Sequence, residues 1–215
     1  MKRFHNHPIR FPSLKSFLIK INEDIDLISE RVPSADWDQF LDFHKLVLLL
    51  EDRRFFRHRG IDTISLIRDA WLAATFRRHG GFSTIEMQLV RTVTGRYERT
   101  KKRKIYEMLL ATICNFHFKK FDMLNAYISM AYYGYDYPVN FHPAYSSNFE
   151  SVANNNFSKS IYDLTLDEAA EIASYLVYPR PSKPSERWRL KVERRKRYAL
   201  KLLSKYKNLF EKMPI

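Results

Sequence analysis

Apolar residues along this chain recur mainly three and four positions apart, the spacing of one helical face, and alternating strand-type runs are scarce. The spacing predicts a helix over Trp37–Leu50 and another over Asp62–Arg78, with Ile64, Ile67, Trp71, Leu72 and Ala74 on one side. Gly80 and Gly81 break the pattern. Ser83 through Glu86 then reads as a capping box that opens a helix through Val93. A Lys- and Arg-dense run, Arg96–Lys104, passes into a helix over Lys104–Phe118, and a further helix, Asp122–Tyr133, stops at Gly134. Residues 135–160 are rich in Asn, Ser, Pro and Tyr and read as an irregular loop. Thr165 and Glu168 form a second capping box, which opens Leu166–Val177. Pro179, Pro181 and Pro184 end that helix, and a basic helix follows over Arg187–Lys207. The expected fold class is all-α.

Composition narrows this picture. A hydrophobic share of 45% supports a packed core and excludes wholesale disorder. The single cysteine, Cys114, excludes an intramolecular disulfide and a multi-cysteine zinc site. A formal charge of +13 with 15% aromatic residues points to an anionic partner, either nucleic acid, anionic lipid or a phosphorylated substrate. No stretch approaches the roughly 18 apolar residues that span a bilayer, and Lys15, Lys20, Glu23 and Asp24 interrupt any signal-peptide core. Residues 1–35 form a basic amphipathic segment. Phe11, Leu14, Phe17, Leu18 and Ile21 can share a face that either packs on the chain's own domain or lies on anionic lipid.

Four segments carry candidate chemistry. Glu51 and Asp52 follow the apolar run Leu46–Leu50, and a partly desolvated carboxylate suits a general base. Taken alone, Glu51 reads sooner as a helix-end acid paired with Arg53 or Arg54, the common fate of an acid beside arginines. Gly80 and Gly81 precede a capped helix start where backbone N–H groups can meet an anion, with Gln88 and Arg91 nearby on one face. An ordinary capped helix has the same pattern. Arg103, Lys104 and Glu107 place two cations beside one acid, able to hold a diphosphate, with or without a divalent metal, or to form a solvated salt bridge. Ala169, Ala170 and Ala173 allow close helix packing and read as structural.

The order and spacing of these segments resemble the glycosyltransferase family 51 domain, the peptidoglycan glycosyltransferase of penicillin-binding proteins and monofunctional transglycosylases. Its first motif is met at Glu51, Asp52, Phe55, His58 and Gly60. Its second is met at Gly81, Ser83, Thr84, Ile85, Gln88 and Leu89, and its third at Arg103, Lys104 and Glu107. A looser fourth ends in Tyr127 and in Tyr133 with Gly134, and the fifth matches Leu166–Pro179. The chain departs from the family pattern at Glu86, Met87, Asn115 and Ser129.

The resemblance implies a single lysozyme-like domain over residues 36–186, with the helix in 187–215 packed on it. It implies inverting transfer between lipid II-type polyprenyl-diphosphate disaccharides, giving β-1,4 glycan strands. Glu51 and Glu107 are then the catalytic pair, with Glu51 as base. Asp52, Phe55, His58, Ser83, Thr84, Gln88, Arg91, Arg103 and Lys104 bind substrate. A divalent ion, Mg2+ or Mn2+, has a place near Glu107. The segment Ile64–Phe76 matches the family's hydrophobic stretch near the membrane. The expected setting is peripheral, at the outer face of the cytoplasmic membrane, with cell-wall synthesis proteins as partners. The family's membrane helix and transpeptidase domain are not seen, so the chain reads as a trimmed or stand-alone, peripherally bound member. Two rivals remain. One is a degenerate member that binds lipid-linked glycan or a cell-wall partner without turnover. The other is a basic helical nucleic-acid-binding protein, which leaves the ordered motifs unexplained.

Overall fold

A computed structural model describes residues 13–35, 40–75, 83–135 and 148–211. The described chain is helical, with one isolated bridge between Gly134 and Arg180. It divides into two compact units, Met1–Pro33 with Arg54–Tyr127 and Ser34–Arg53 with Ile128–Ile215.

In the first unit, α1 (Leu14–Ser29) is opened by a capping box between Ser13 and Ser16 and packs on α4 (Ile85–Thr94) and α5 (Lys101–His117). Its buried residues are Ile21, Asp24 and Ile28. A buried carboxylate needs a charged partner. Asp24 has one in the guanidinium of Arg96, and the hydroxyl of Tyr106 donates to it as well at 2.7 Å. Only part of the anticipated apolar face is covered. Ile21 turns inward, but Leu14 and Leu18 stay exposed, and Phe11 lies outside the described residues.

The second half of the first motif forms a 3-10 turn, Phe55–Arg57, and a tight bend at Gly60. Gly60 has φ of +85°, and an added Cβ would press on the Ala111 carbonyl and lie 2.6 Å from the Thr112 nitrogen. Backbone therefore packs on backbone, which only glycine permits. Asp62 caps α3 (Thr63–Ala74) by accepting from the backbone N–H groups of Ile64 and Ser65. Burial pushes its carboxyl pKa up, but the Ser65 hydrogen bonds and the Arg54 charge more than offset this, so the net shift is downward.

Several sequence-based boundaries move. The capping box expected over Ser83–Glu86 does not form, and the N-cap lies one residue later. Thr84 is the N-cap and accepts from the Met87 N–H, because the Ser83 hydroxyl is engaged by Lys104 instead. The helix expected from Lys104 starts at Lys101, since Thr100 supplies the cap. Within the expected loop at 135–160 lies α7 (Asn148–Phe157). Its buried Phe149, Val152 and Ala153 give it an apolar face that its four asparagines mask in the sequence. The expected features at Trp37, Phe76, Gly80 and Gly81 lie outside the described residues.

α6 (Lys120–Met130) carries the chain from the first unit into the second. The second unit is built on α2 (Asp42–Glu51), whose Phe43, Leu46, Val47, Leu48 and Leu49 are buried. It packs on α8 (Leu166–Tyr175) and α9 (Glu186–Lys205). Ala169, Ala170 and Ala173 are buried on α8, where small side chains let helices approach closely. Phe149 of α7 stacks on Phe43 with ring centroids 3.6 Å apart. Thr165 and Glu168 form the anticipated capping box, and Ser185 caps α9. A short α10 (Lys207–Glu211) follows.

Candidate functional site

In the first unit, α4 and α5 pack side by side and bring the second and third motifs together. Glu107 lies one turn after Arg103 on α5, with its side chain only 3% exposed. Its carboxylate accepts from Arg103 and, at 3.1 Å, from Lys104, and Arg91 of α4 stands 4.0 Å away. The Lys104 ammonium also donates to the Ser83 hydroxyl at 2.7 Å. Arg103 makes a further bond to the Glu98 carbonyl, so its guanidinium is held from two sides. Three cations thus gather round one buried carboxylate, and the surplus positive charge is suited to an anion with several oxygens. Burial pulls the Lys104 pKa down, attraction to Glu107 opposes this, and repulsion from Arg91 and Arg103 adds to the fall; the net shift is downward. Gln88, on α4, accepts from the Tyr127 hydroxyl at 3.2 Å.

Glu107 does not make a cation site. Its oxygens already face three positive side chains, and among the described residues no cluster of His, Cys, Asp or Glu donors includes it.

Phe55, His58 and Thr84 are turned inward. Thr84 is 2% exposed, and besides capping α4 its hydroxyl donates to the Gly60 carbonyl at 2.7 Å. Phe55 is 1% exposed, with the Lys120 ammonium 4.4 Å from its ring centroid. Glu86, wholly buried, accepts from Lys120 and from Asn115, and the His58 ring nitrogen lies 3.8 Å from it. These residues pin the first motif's turn to α4, α5 and α6. Two departures from the family pattern, Glu86 and Asn115, are hydrogen-bonded to each other, and a third, Met87, is buried in the core. Burial and the nearby Glu86 carboxylate push the Cys114 thiol up to about 12, which makes it a poor nucleophile.

Glu51 and Asp52 belong to the second unit, at the C-terminal end of α2. Asp52 is the C-cap residue and is buried. Glu51 is half-buried, and Arg195 of α9 pairs with it, its Nη2 3.3 Å from Oε1. Sequence reasoning missed Arg195, Lys120 and the Glu86 network. For Arg195 a signal existed, since it interrupts the stripe Val192, Ala199 and Leu202. Its many basic neighbours hid it.

Residues 29–204 match the family model described as Transglycosylase, so the chain belongs to the transglycosylase family and its all-α fold is the lysozyme-like fold of that family. It is 36% identical over 131 residues to penicillin-binding protein 1A of Escherichia coli, covering 60% of this chain and 14% of that protein. It is 29% identical over 206 residues to penicillin-binding protein 1B of Haemophilus influenzae, covering 94% of this chain and 24% of that protein. Penicillin-binding protein 1A of Aquifex aeolicus is 35% identical over 126 residues, covering 58% and 16%. The chain thus spans no more than about a quarter of the length of these relatives.

Proposed function

We propose that this chain is an inverting peptidoglycan glycosyltransferase that polymerises lipid II-type polyprenyl-diphosphate disaccharides into β-1,4 glycan strands. The observation that supports it most directly is the cluster of Arg91, Arg103 and Lys104 around buried Glu107. A diphosphate leaves as an anion, so it needs charge neutralisation more than a proton. Cations already locked in place stabilise developing charge without reorganising. Glu107 holds the cations, Ser83 and Gln88 position phosphate and sugar, and Glu51 accepts the proton of the acceptor's 4-hydroxyl. Inversion requires the base on the sugar face opposite the leaving group, as in inverting glycosidases. Phe55, His58 and Thr84 act by shaping the first motif's turn, and Asp52 by ending α2.

Such a substrate sits in a membrane. No described helix is long and apolar enough to cross one. Ile64, Ile67 and Trp71 of α3, with Leu14, Leu18 and Ile19 of α1, are exposed apolar groups on a strongly basic chain, which supports peripheral contact with anionic lipid. The working place is then the outer face of the cytoplasmic membrane, beside other cell-wall synthesis proteins.

The test is incubation with labelled lipid II. The wild-type chain yields glycan strands. Glu51→Gln lowers the rate about a hundredfold or more while the melting temperature barely moves. Normal polymer from Glu51→Gln would remove the base assignment. Absence of turnover in the wild-type chain would favour the degenerate binder.

A further inference from the structure

We infer that Arg195, on α9 and outside the five motifs, is a positioning residue that fixes the carboxylate of Glu51. The inference rests on Glu51 being the base proposed above.

The argument begins on α9. Its buried stripe runs through Val192, Ala199 and Leu202, and Arg195 falls in that stripe, three residues after the first and four before the second. A guanidinium on an inward face is destabilising unless it finds partners. The Arg195 guanidinium lies 6.0 Å from the Tyr198 ring centroid, and its two hydrogen-bond partners are both at the end of α2. Its Nη2 donates to the Leu50 carbonyl at 3.2 Å and to Glu51 Oε1 at 3.3 Å. One nitrogen therefore ties a side-chain oxygen to the backbone of the same helix end. That bridge restricts the rotamers of the Glu51 carboxylate.

The register of this contact is set next door. Lys196 pairs with Asp167 at 2.9 Å and Glu171 at 3.7 Å, both in the first two turns of α8, and so fastens this turn of α9 to α8. The geometry is not one that stability alone selects. Arg195 meets the carboxylate through a single nitrogen rather than the two-pronged contact arginine favours. Its Nε is buried with no hydrogen-bond partner among the described residues. A plain helix-end clasp between α9 and α2 has no need of the side chain of Glu51. A base does need holding, because a small misplacement of a reacting group costs rate steeply.

The test measures kcat and KM on labelled lipid II for the wild-type chain, Arg195→Ala, Arg195→Lys, Glu51→Gln and the Glu51→Gln/Arg195→Ala pair. Nitrogen NMR of the Arg195 guanidinium accompanies it in the wild-type chain and in Glu51→Gln. Arg195→Ala is expected to lower kcat about tenfold or more, as misplacing a catalytic group does, with KM little changed. Arg195→Lys and added guanidinium each restore part of the loss, and the double variant is no slower than Glu51→Gln. The Arg195 signal shifts in Glu51→Gln. Unchanged kcat in Arg195→Ala, or losses that multiply in the double variant, overturns the inference. An Arg195 signal indifferent to Glu51→Gln overturns it whether or not the chain turns over. If the wild-type chain is inactive but the signal shifts, the pairing stands and the proposed reaction falls instead.

Discussion

A lysine ammonium held beside one carboxylate and two guanidinium groups feels opposing pulls, and at Lys104 the lowering ones win. The consequence has a definite sign. In the interval between the lowered folded pKa and the ordinary lysine value, the unfolded chain binds more protons than the folded one, so stability rises with pH there. The charge that would hold a diphosphate is lost over the same interval. Activity on lipid II should therefore fall on the alkaline side before an ordinary lysine would titrate, while the melting temperature does not fall with it. Lys104→Arg should carry the activity limb to higher pH. Parallel profiles of kcat/KM and melting temperature check this, and identical alkaline limbs for the two proteins would exclude Lys104 as the group responsible. Ser83 belongs to the same scale. As a cap it would serve only α4, but by accepting from Lys104 it fixes the direction of an ammonium.

At the scale of elements, the two threonine caps do different work. Thr165 closes a capping box on an exposed helix start, with Glu168 held down to about 2 first by Lys159 and then by the Thr165 N–H. Thr84 is buried and spans two segments, capping α4 and holding the Gly60 carbonyl. Thr165→Ala should cost about 1 kcal/mol. Thr84→Ala should cost about 2–3 kcal/mol, because it leaves a buried carbonyl unsatisfied as well as removing a cap. Urea unfolding of the two variants compares them, and equal losses would mean that the Gly60 bond contributes nothing. Thr84→Ala should also depress activity, since Gly60 lies in the turn that carries Phe55 and His58. The capping pattern of α8 was plain in the sequence because both partners lie within four residues. That of α4 was misplaced by one residue because what decides it, the claim of Lys104 on Ser83, comes from 21 residues away.

At the scale of the whole molecule, excess positive charge and exposed apolar side chains act together. On the proposed reading, attraction to anionic lipid brings the chain to a surface where Ile67 and Trp71, 68% and 58% exposed, are placed to insert. Sedimentation with vesicles should show binding to anionic lipid that weakens with salt and drops by as much as about a thousandfold for Ile67→Asp with Trp71→Asp, in line with the loss of about 2 kcal/mol for each large side chain that inserts. Equal binding of that variant would assign membrane contact to charge alone. Melting temperature should stay close to wild type, because these side chains already face solvent.

The sequence by itself determined the helical class, most helix positions and the family, because each rests on local information: apolar residues at helical spacing, caps within a turn, and motifs in a fixed order. It also placed Arg103 and Glu107 on one helix face, where a spacing of four is enough, with Lys104 flanking them. Only tertiary structure decided who meets whom. Arg91 and Ser83 joined that cluster through the packing of α4 on α5, Glu86 found Asn115 and Lys120, and Glu51 paired with Arg195, 144 residues away. The reason is physical. Periodicity says which face of a helix is buried, but the partner of a buried charge depends on which helix covers it, and nothing in the local pattern names that helix.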